Sequence, residues 1–267
     1  MTESAYRTAK LILAQLCLAT ALLGSWEFCS AFKIIDPFFF SRPTYIVARL
    51  TQWIVTGFVW RHLMATLIET LLSFLIGSCL GILLGFVLAV VPSAARLLDP
   101  YIRIANALPR VVLAPIFLLW FGLGMWSKVA LGVTVVFFIV FFNTFRGVRE
   151  VDPILIENAR MLGASRGQLA RHVLIPSALT WLFSSLHISV GMAIVAVVVG
   201  EYLGASSGIG YLIAQAEGVF DTTGMFAGTV LLAFAVLGIG TIVSRVERRL
   251  LRWKPAQNAF GAQRQRA

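Results

Sequence analysis

"ENARMLGASRGQLARHVLIP", Glu157 to Pro176, is the longest polar passage inside an otherwise apolar chain, and its reading decides the fold. Its local signals are those of two short helices, not of a linker. Just ahead of it, Asp152-Pro153 supplies an N-cap and a proline at the first helical position. Leu155, Ala159 and Leu162 then share one face, and Gly163 ends the helix as a residue suited to left-handed backbone. Ser165 with Gln168 has the spacing of a capping box, Leu169 and Val173 continue an apolar face, and Pro176 marks the start of the next apolar run. The spacing predicts a helix-turn-helix of about 25 residues. Glu157, Arg160, Arg166 and Arg171 charge one of its faces. Such a unit either caps a helical bundle from below or offers a short amphipathic helix to a partner's groove.

The surrounding composition names the solvent. Of 267 residues, 59% are hydrophobic and 13% charged, and the mean hydropathy of +0.87 excludes an ordinary soluble domain in favour of a polytopic membrane protein. The formal charge of +10 is read as membrane sidedness, with no nucleic-acid partner. Cys17, Cys29 and Cys79 all lie in apolar runs without metal or redox spacing, so they read as small buried hydrophobes. The N-terminal Arg7 and Lys10 precede an apolar stretch lacking a small-residue cleavage site, which reads as an uncleaved first span.

A membrane helix needs about 20 apolar residues to cross about 30 Å of hydrocarbon. That template predicts six spans: Leu11–Phe32, Ala65–Val91, Ile104–Leu123, Val129–Phe145, Ala178–Val199 and Phe226–Val243, the third and fourth forming a tight hairpin across "GLGMWS". Counting Lys and Arg in alternate loops places seventeen on one side and five on the other. Both termini and the 157–176 passage are therefore expected in the cytoplasm. Between the first two spans, Tyr45, Ile46, Arg49, Trp53 and Ile54 at helical spacing suggest either an outer interfacial helix anchored by Trp53 and Trp60 or an ordered loop packed on the bundle. Gly77, Gly81 and Gly85 form a ladder of small residues that lets another helix backbone approach. "GASSGIG", Gly204 to Gly210, reads as a flexible re-entrant or surface loop after the fifth span.

Polar groups inside spans are candidates because they are costly there. Asn106, Asn143, Ser185, His187 and Ser189 are candidate translocation-path residues, while Glu27 and Glu69, near outer span ends, favour structural roles. Glu201, Tyr202, Ser206, Ser207 and Gly208 are candidates for an outer gate or a docking site, against the alternative of a plain surface loop. The chain has no phosphate-binding G-x-x-x-x-G-K-[ST] loop, and "GLGMWSK" fails by a misplaced glycine. The three histidines, His62, His172 and His187, stand apart in sequence, and nothing forms a nucleophile-base set or paired catalytic carboxylates. Neither an enzyme nor a metal centre is expected.

Glu157-Asn158-Ala159, three residues, Gly163, nine residues, and Val173-Leu174-Ile175-Pro176 resemble the EAA loop of the inner-membrane permease subunits of ATP-binding-cassette importers. That pattern is EAA, x3, G, x9, I-x-L-P. Asn158 stands where the pattern has Ala. "VAVVVGEYLGASSGIGYLIAQA" (Val195–Ala216) and "RVERRLLRW" (Arg245–Trp253) resemble the branch importing sulfonates, taurine, nitrate, bicarbonate or thiamine-precursor compounds. The resemblance implies an all-α fold of about six spans in a bacterial inner membrane. It divides the chain into residues 1–60 (first span and outer segment), 61–253 (importer core, with the coupling loop near 150–176) and 254–267 (basic cytoplasmic tail). It further implies a second permease copy, two ATPase subunits carrying ATP and Mg, an extracytoplasmic binding protein and the surrounding lipid, with no cofactor on this chain. Glu157, Asn158, Ala159, Leu162, Gly163, Ala164 and Pro176 would be the ATPase-coupling residues. A secondary transporter or channel-like protein is the alternative, but it would be expected to show midplane carboxylates or duplicated halves with broken helices.

Overall fold

The computed structural model describes residues 3–250 and is helical throughout its regular structure. The basic tail at 254–267 and the end of the closing arginine-rich motif lie outside the described residues. The chain divides into two compact units. One comprises Met1–Thr66 and Glu201–Ala233, the other Leu67–Gly200 and the chain from Phe234 on, so the division falls within three long helices.

The first unit begins with α1 (Glu3–Ala31), which is exposed along nearly all of its apolar stretch and buries Ser30 near its end. A short α2 (Pro37–Phe40) follows, capped by Asp36, which accepts the Phe38 N–H at 2.9 Å. Next comes α3 (Pro43–Val55), the helix expected from the Tyr45–Ile54 spacing. Arg42 cannot cap it, and Glu27 of α1 does so instead: one carboxylate oxygen accepts the Thr44 N–H at 3.1 Å and the other the Thr44 hydroxyl at 2.9 Å. This gives Glu27 the structural role expected of it. Arg49 pairs with Asp221 at 2.5 Å, and Ser41 meets Thr223 at 2.8 Å, fastening α3 and its leading turn to the later part of the unit.

The second unit takes most of α4 (Phe58–Val90), then α5 (Pro92–Ala107), a 3-10 turn at Arg110–Leu113, α6 (Ala114–Phe121) and α7 (Met125–Arg149). The glycine ladder has α7 as its partner. A Cβ on Gly77 would lie 2.7 Å from the Val136 Cβ, one on Gly81 2.9 Å from the Phe137 carbonyl oxygen, and one on Gly85 2.8 Å from the Phe141 carbonyl oxygen. Hydrogen in place of a side chain is what allows these backbones to touch.

Two expectations need correction. Among the described residues five helices are long and apolar enough to cross a membrane, or six when the bent pair Pro92–Ala107 and Arg110–Phe121 counts as one span, in keeping with the about six expected. The third predicted span, Ile104–Leu123, is instead part of a pair of segments bent by 87° between Ala107 and Arg110. Leu108 turns extended before Pro109, which cannot continue a helical hydrogen-bond ladder. Secondly, Cys17 and Cys79 face outward and Cys29 is half-buried, so they are not core residues of this chain. An apolar run read from sequence does not say which of its faces meets protein and which meets lipid. Lys128 is 1% exposed and donates its ammonium to the Leu123 and Gly124 carbonyls at 2.5 and 2.9 Å.

Candidate functional site

The polar passage folds into the predicted pair of turns. Helix α8 (Pro153–Met161) starts on Asp152, whose carboxylate accepts the Ile154 N–H at 2.9 Å. It stops at Leu162, and Gly163 follows in left-handed backbone at φ 81°. The Gly163 N–H bonds the Arg160 carbonyl at 2.9 Å, and the Ala164 N–H bonds that of Ala159 at 3.0 Å. This double closure is a Schellman motif, and it explains why the third motif residue and the residue after the glycine are both small and half-buried. The capping box is also present: Gln168 accepts the Ser165 N–H at 2.8 Å, and Ser165 accepts that of Gln168 at 3.3 Å. It opens α9 (Arg166–Leu169).

The second helix does not stop at Pro176. A π turn at Ala170–Leu174 joins it to α10 (Ile175–Leu203), with the Ile175 N–H reaching back five residues to Ala170. Proline lacks the N–H that would close on His172 and crowds that carbonyl, so a widened turn stands here in place of regular α geometry.

Inward-facing Val151, Leu174 and Ala178 pack with Ala89 and Val148, and Ile156 and Val173 lie against them. The tip has no such cover: Met161 is 79% and Leu162 89% exposed, flanked by exposed Glu157 and Asn158. The unit is thus anchored at its base and presents an apolar tip with a charged shoulder, a form suited to insertion into a partner's cleft.

A cavity of about 550 Å³ opens within the second unit. Asn106 and Arg110 contribute from the bend, Phe138 and Asn143 from α7, and Ile188 and Met192 from α10. Its walls are mainly aliphatic and aromatic. Two of the five path candidates, Asn106 and Asn143, are therefore brought together. Ser185 and Ser189 are not on its wall. They are buried, with their hydroxyls bonded back to the Leu182 and Leu186 carbonyls at 2.7 and 3.0 Å, and His187 lies on an exposed face.

The residues expected at an outer gate form an internal clamp in the first unit. Glu201 is 1% exposed; its oxygens accept the Thr66 hydroxyl at 2.6 Å and the Gly210 N–H at 2.7 Å. Thr66 in turn accepts the Ile209 N–H at 2.9 Å, and the Nδ1 atom of His62 accepts that of Gly208 at 3.2 Å. Three side chains thus satisfy the opening N–H groups of α11 (Ile209–Gly218), which Gly208 itself cannot cap. Gly208 sits at φ 117°, where a Cβ would come 2.1 Å from the Glu201 carboxyl carbon. The loop is accordingly neither plain nor flexible at this end, and burial removes Glu201 from any docking surface. Tyr202 is exposed and donates to Glu217, Ser206 is exposed and Ser207 half-buried. The chain closes with α12 (Thr222–Leu250).

Residues 77–254 match the family described as the binding-protein-dependent transport system inner membrane component. The chain belongs to this family. Among similar permeases are the riboflavin transport system permease protein RibX of Chloroflexus aurantiacus, 36% identical across 87% of each chain, and the putative aliphatic sulfonates transport permease protein SsuC of Bacillus subtilis, 32% identical across 90% of this chain and 87% of its relative. The formylaminopyrimidine transport permease protein ThiX of Halalkalibacterium halodurans is 33% identical across 88% of this chain and 94% of that one. The fold matches a permease chain of the inward-facing MetNI methionine ABC transporter with a TM-score of 0.58 at 24% identity, covering 74% of this chain and 96% of that one.

This permease is a membrane subunit of an ABC importer that couples to an ATPase partner and is not itself catalytic. The matched region contains both the 152–176 unit and the cavity. Reading the permease from its sequence did not identify Arg110, Thr66 or His62 as members of these sites. In the sequence Arg110 is one basic residue among many, and the proline after Leu108 is the signal that the segment breaks beside it. Thr66 and His62 meet Gly208 and Ile209 across more than 140 residues of chain, which no local pattern encodes.

Proposed function

We propose that this permease works as one of two identical copies, with two ATPase subunits seated on the 152–176 units and an extracytoplasmic protein delivering a small organic anion or zwitterion. In this reading both termini face the cytoplasm. Leu162 and Ala164 supply the apolar dock, Glu157 and Asn158 its polar shoulder, Ala159 and Gly163 the closed turn, and Pro176 the widened joint to α10. ATP-driven closure of the motor then moves α8 and α10 as rigid elements and switches the cavity between the two faces of the membrane.

The observation that carries the coupling assignment is the bare Met161–Leu162 tip, with Ile154 and Leu155 also exposed, on a unit held to the chain at its base by Val151, Ile156, Val173 and Leu174. The solute class draws on the sulfonate and taurine transport permeases among its relatives, the latter from Escherichia coli at 28% identity, and on the presence of Arg110 in the cavity wall. A neutral heterocycle is the rival, favoured by the riboflavin relative and by the aromatic wall.

Gly163→Glu tests the coupling. A Cβ at Gly163 meets open space, so the fold survives apart from a left-handed backbone cost of about 1–3 kcal/mol, while a new carboxylate stands in the dock. The variant is expected to reach the membrane and lose co-purification with its ATPase. Retained, fully coupled ATP hydrolysis would sink the assignment. Uptake by the reconstituted complex of a radiolabelled alkanesulfonate, taurine, nitrate and riboflavin decides the solute class.

A further inference from the structure

At the 87° bend, Arg110 folds back over the end of α5. Its Nη1 donates to the Asn106 carbonyl at 2.6 Å and to the Leu108 carbonyl at 3.3 Å, and its Nη2 donates to the Asn106 side-chain oxygen at 2.6 Å. The guanidinium carbon stands 4.9 Å from the centre of the Phe138 ring. Every one of these partners is neutral. Arg103, lining the adjoining cavity, is paired with Asp99 at 2.7 Å, whereas among the described residues no carboxylate pairs with Arg110.

A half-buried cation held only by carbonyls and a π face, in a cavity wall that is mainly apolar, is costly unless a counter-charge visits. A guanidinium carries five N–H donors in a fixed fork. Asn106 and Leu108 occupy the end formed by the two Nη atoms. On the Nε–Nη2 edge, the side that can receive an oxyanion bidentately, the Nε–H and one of the two Nη2 hydrogens have no partner among the described residues.

We infer that Arg110 selects the solute's charge: a sulfonate or carboxylate group docks on its Nε–Nη2 edge, while an apolar body lies along Phe138, Ile188 and Met192. Asn106 is the positioning residue that fixes the fork. This rests on the reading of the cavity as the solute path. The same bonds also cap the last carbonyls of α5, so the test must separate anion recognition from helix capping.

The assembled permease–ATPase complex in nanodiscs, without the binding protein or ATP, is titrated with hexanesulfonate and with neutral hexyl methyl sulfone. The wild type is expected to bind the sulfonate at least about tenfold more tightly, as one bidentate charged contact supplies. Arg110→Gln removes that preference and leaves sulfone binding intact, and Arg110→Lys retains part of it because charge remains and the fork is lost. Should Arg110→Gln fail to assemble, Arg110→Lys decides by the same ratio. A preference unchanged in the variants, or both affinities falling together, makes Arg110 a helix cap and overturns the inference. Equal wild-type binding of the two probes also overturns it, and a wild type that binds neither overturns the solute path with it.

Discussion

Gly208 shows how much a single position can carry. Its backbone angle suits glycine, its missing side chain makes room for the Glu201 carboxylate, and its N–H goes to His62. Gly208→Ala is expected to cost about 1–3 kcal/mol from backbone strain alone, with the clash adding to it, seen as a lower midpoint of thermal unfolding in detergent. Glu201→Gln keeps the shape but replaces one acceptor oxygen with a donor. Either the Gly210 N–H then loses its acceptor, or the Thr66 hydroxyl is left with only its longer bond to the His62 carbonyl at 3.2 Å; a loss of about 1–3 kcal/mol is expected in the same measurement. An unchanged midpoint in both variants would show that the clamp does not hold α11. The sequence marked this glycine, because "GASSGIG" is conspicuous in an apolar chain. It did not say that the neighbouring glutamate turns inward, since burial of a carboxylate depends on Thr66, distant along the chain.

Between elements, legibility follows the range of the interaction. Asp152, Pro153, Gly163, Ser165 and Gln168 act within four residues of themselves, and all their roles in α8 and α9 were readable from spacing. Pro176 acts locally too, but its effect depends on α10 continuing through it, so the entry to the apolar run that it marks takes the form of a π turn. Ser165→Ala is expected to cost about 1 kcal/mol of local stability, visible as faster amide hydrogen exchange confined to residues 165–169. Uniform exchange across the chain would place the effect elsewhere. The glycine ladder was legible as a close approach, but α7 was not legible as its partner. Gly81→Leu is expected to force α4 from α7, because its Cβ would already lie 2.9 Å from both the Phe137 carbonyl oxygen and the Val140 Cβ. Its yield of folded protein should fall well below that of Gly24→Leu, whose site is open.

At the level of the whole molecule, the proposed orientation is checked by one accessibility experiment. In a cysteine-free background, Glu157→Cys is expected to react with a membrane-impermeant maleimide in inside-out vesicles and not in right-side-out ones, because seventeen Lys and Arg share its predicted side. The reverse pattern would invert the topology and remove the 152–176 unit from any cytoplasmic ATPase. Composition, the lengths of apolar runs and the capping residues by themselves determined a polytopic helical protein with a folded polar unit between two of its spans. All of these are properties of a chain segment in its solvent. Tertiary structure alone decided that the third segment bends at Pro109, that Asn106 and Asn143 share a cavity while Ser185 and Ser189 do not, and that Glu201 is a clamp. The bilayer explains the division: it rewards apolar side chains on every face of a span, so hydropathy records immersion but not which face meets protein, lipid or solute.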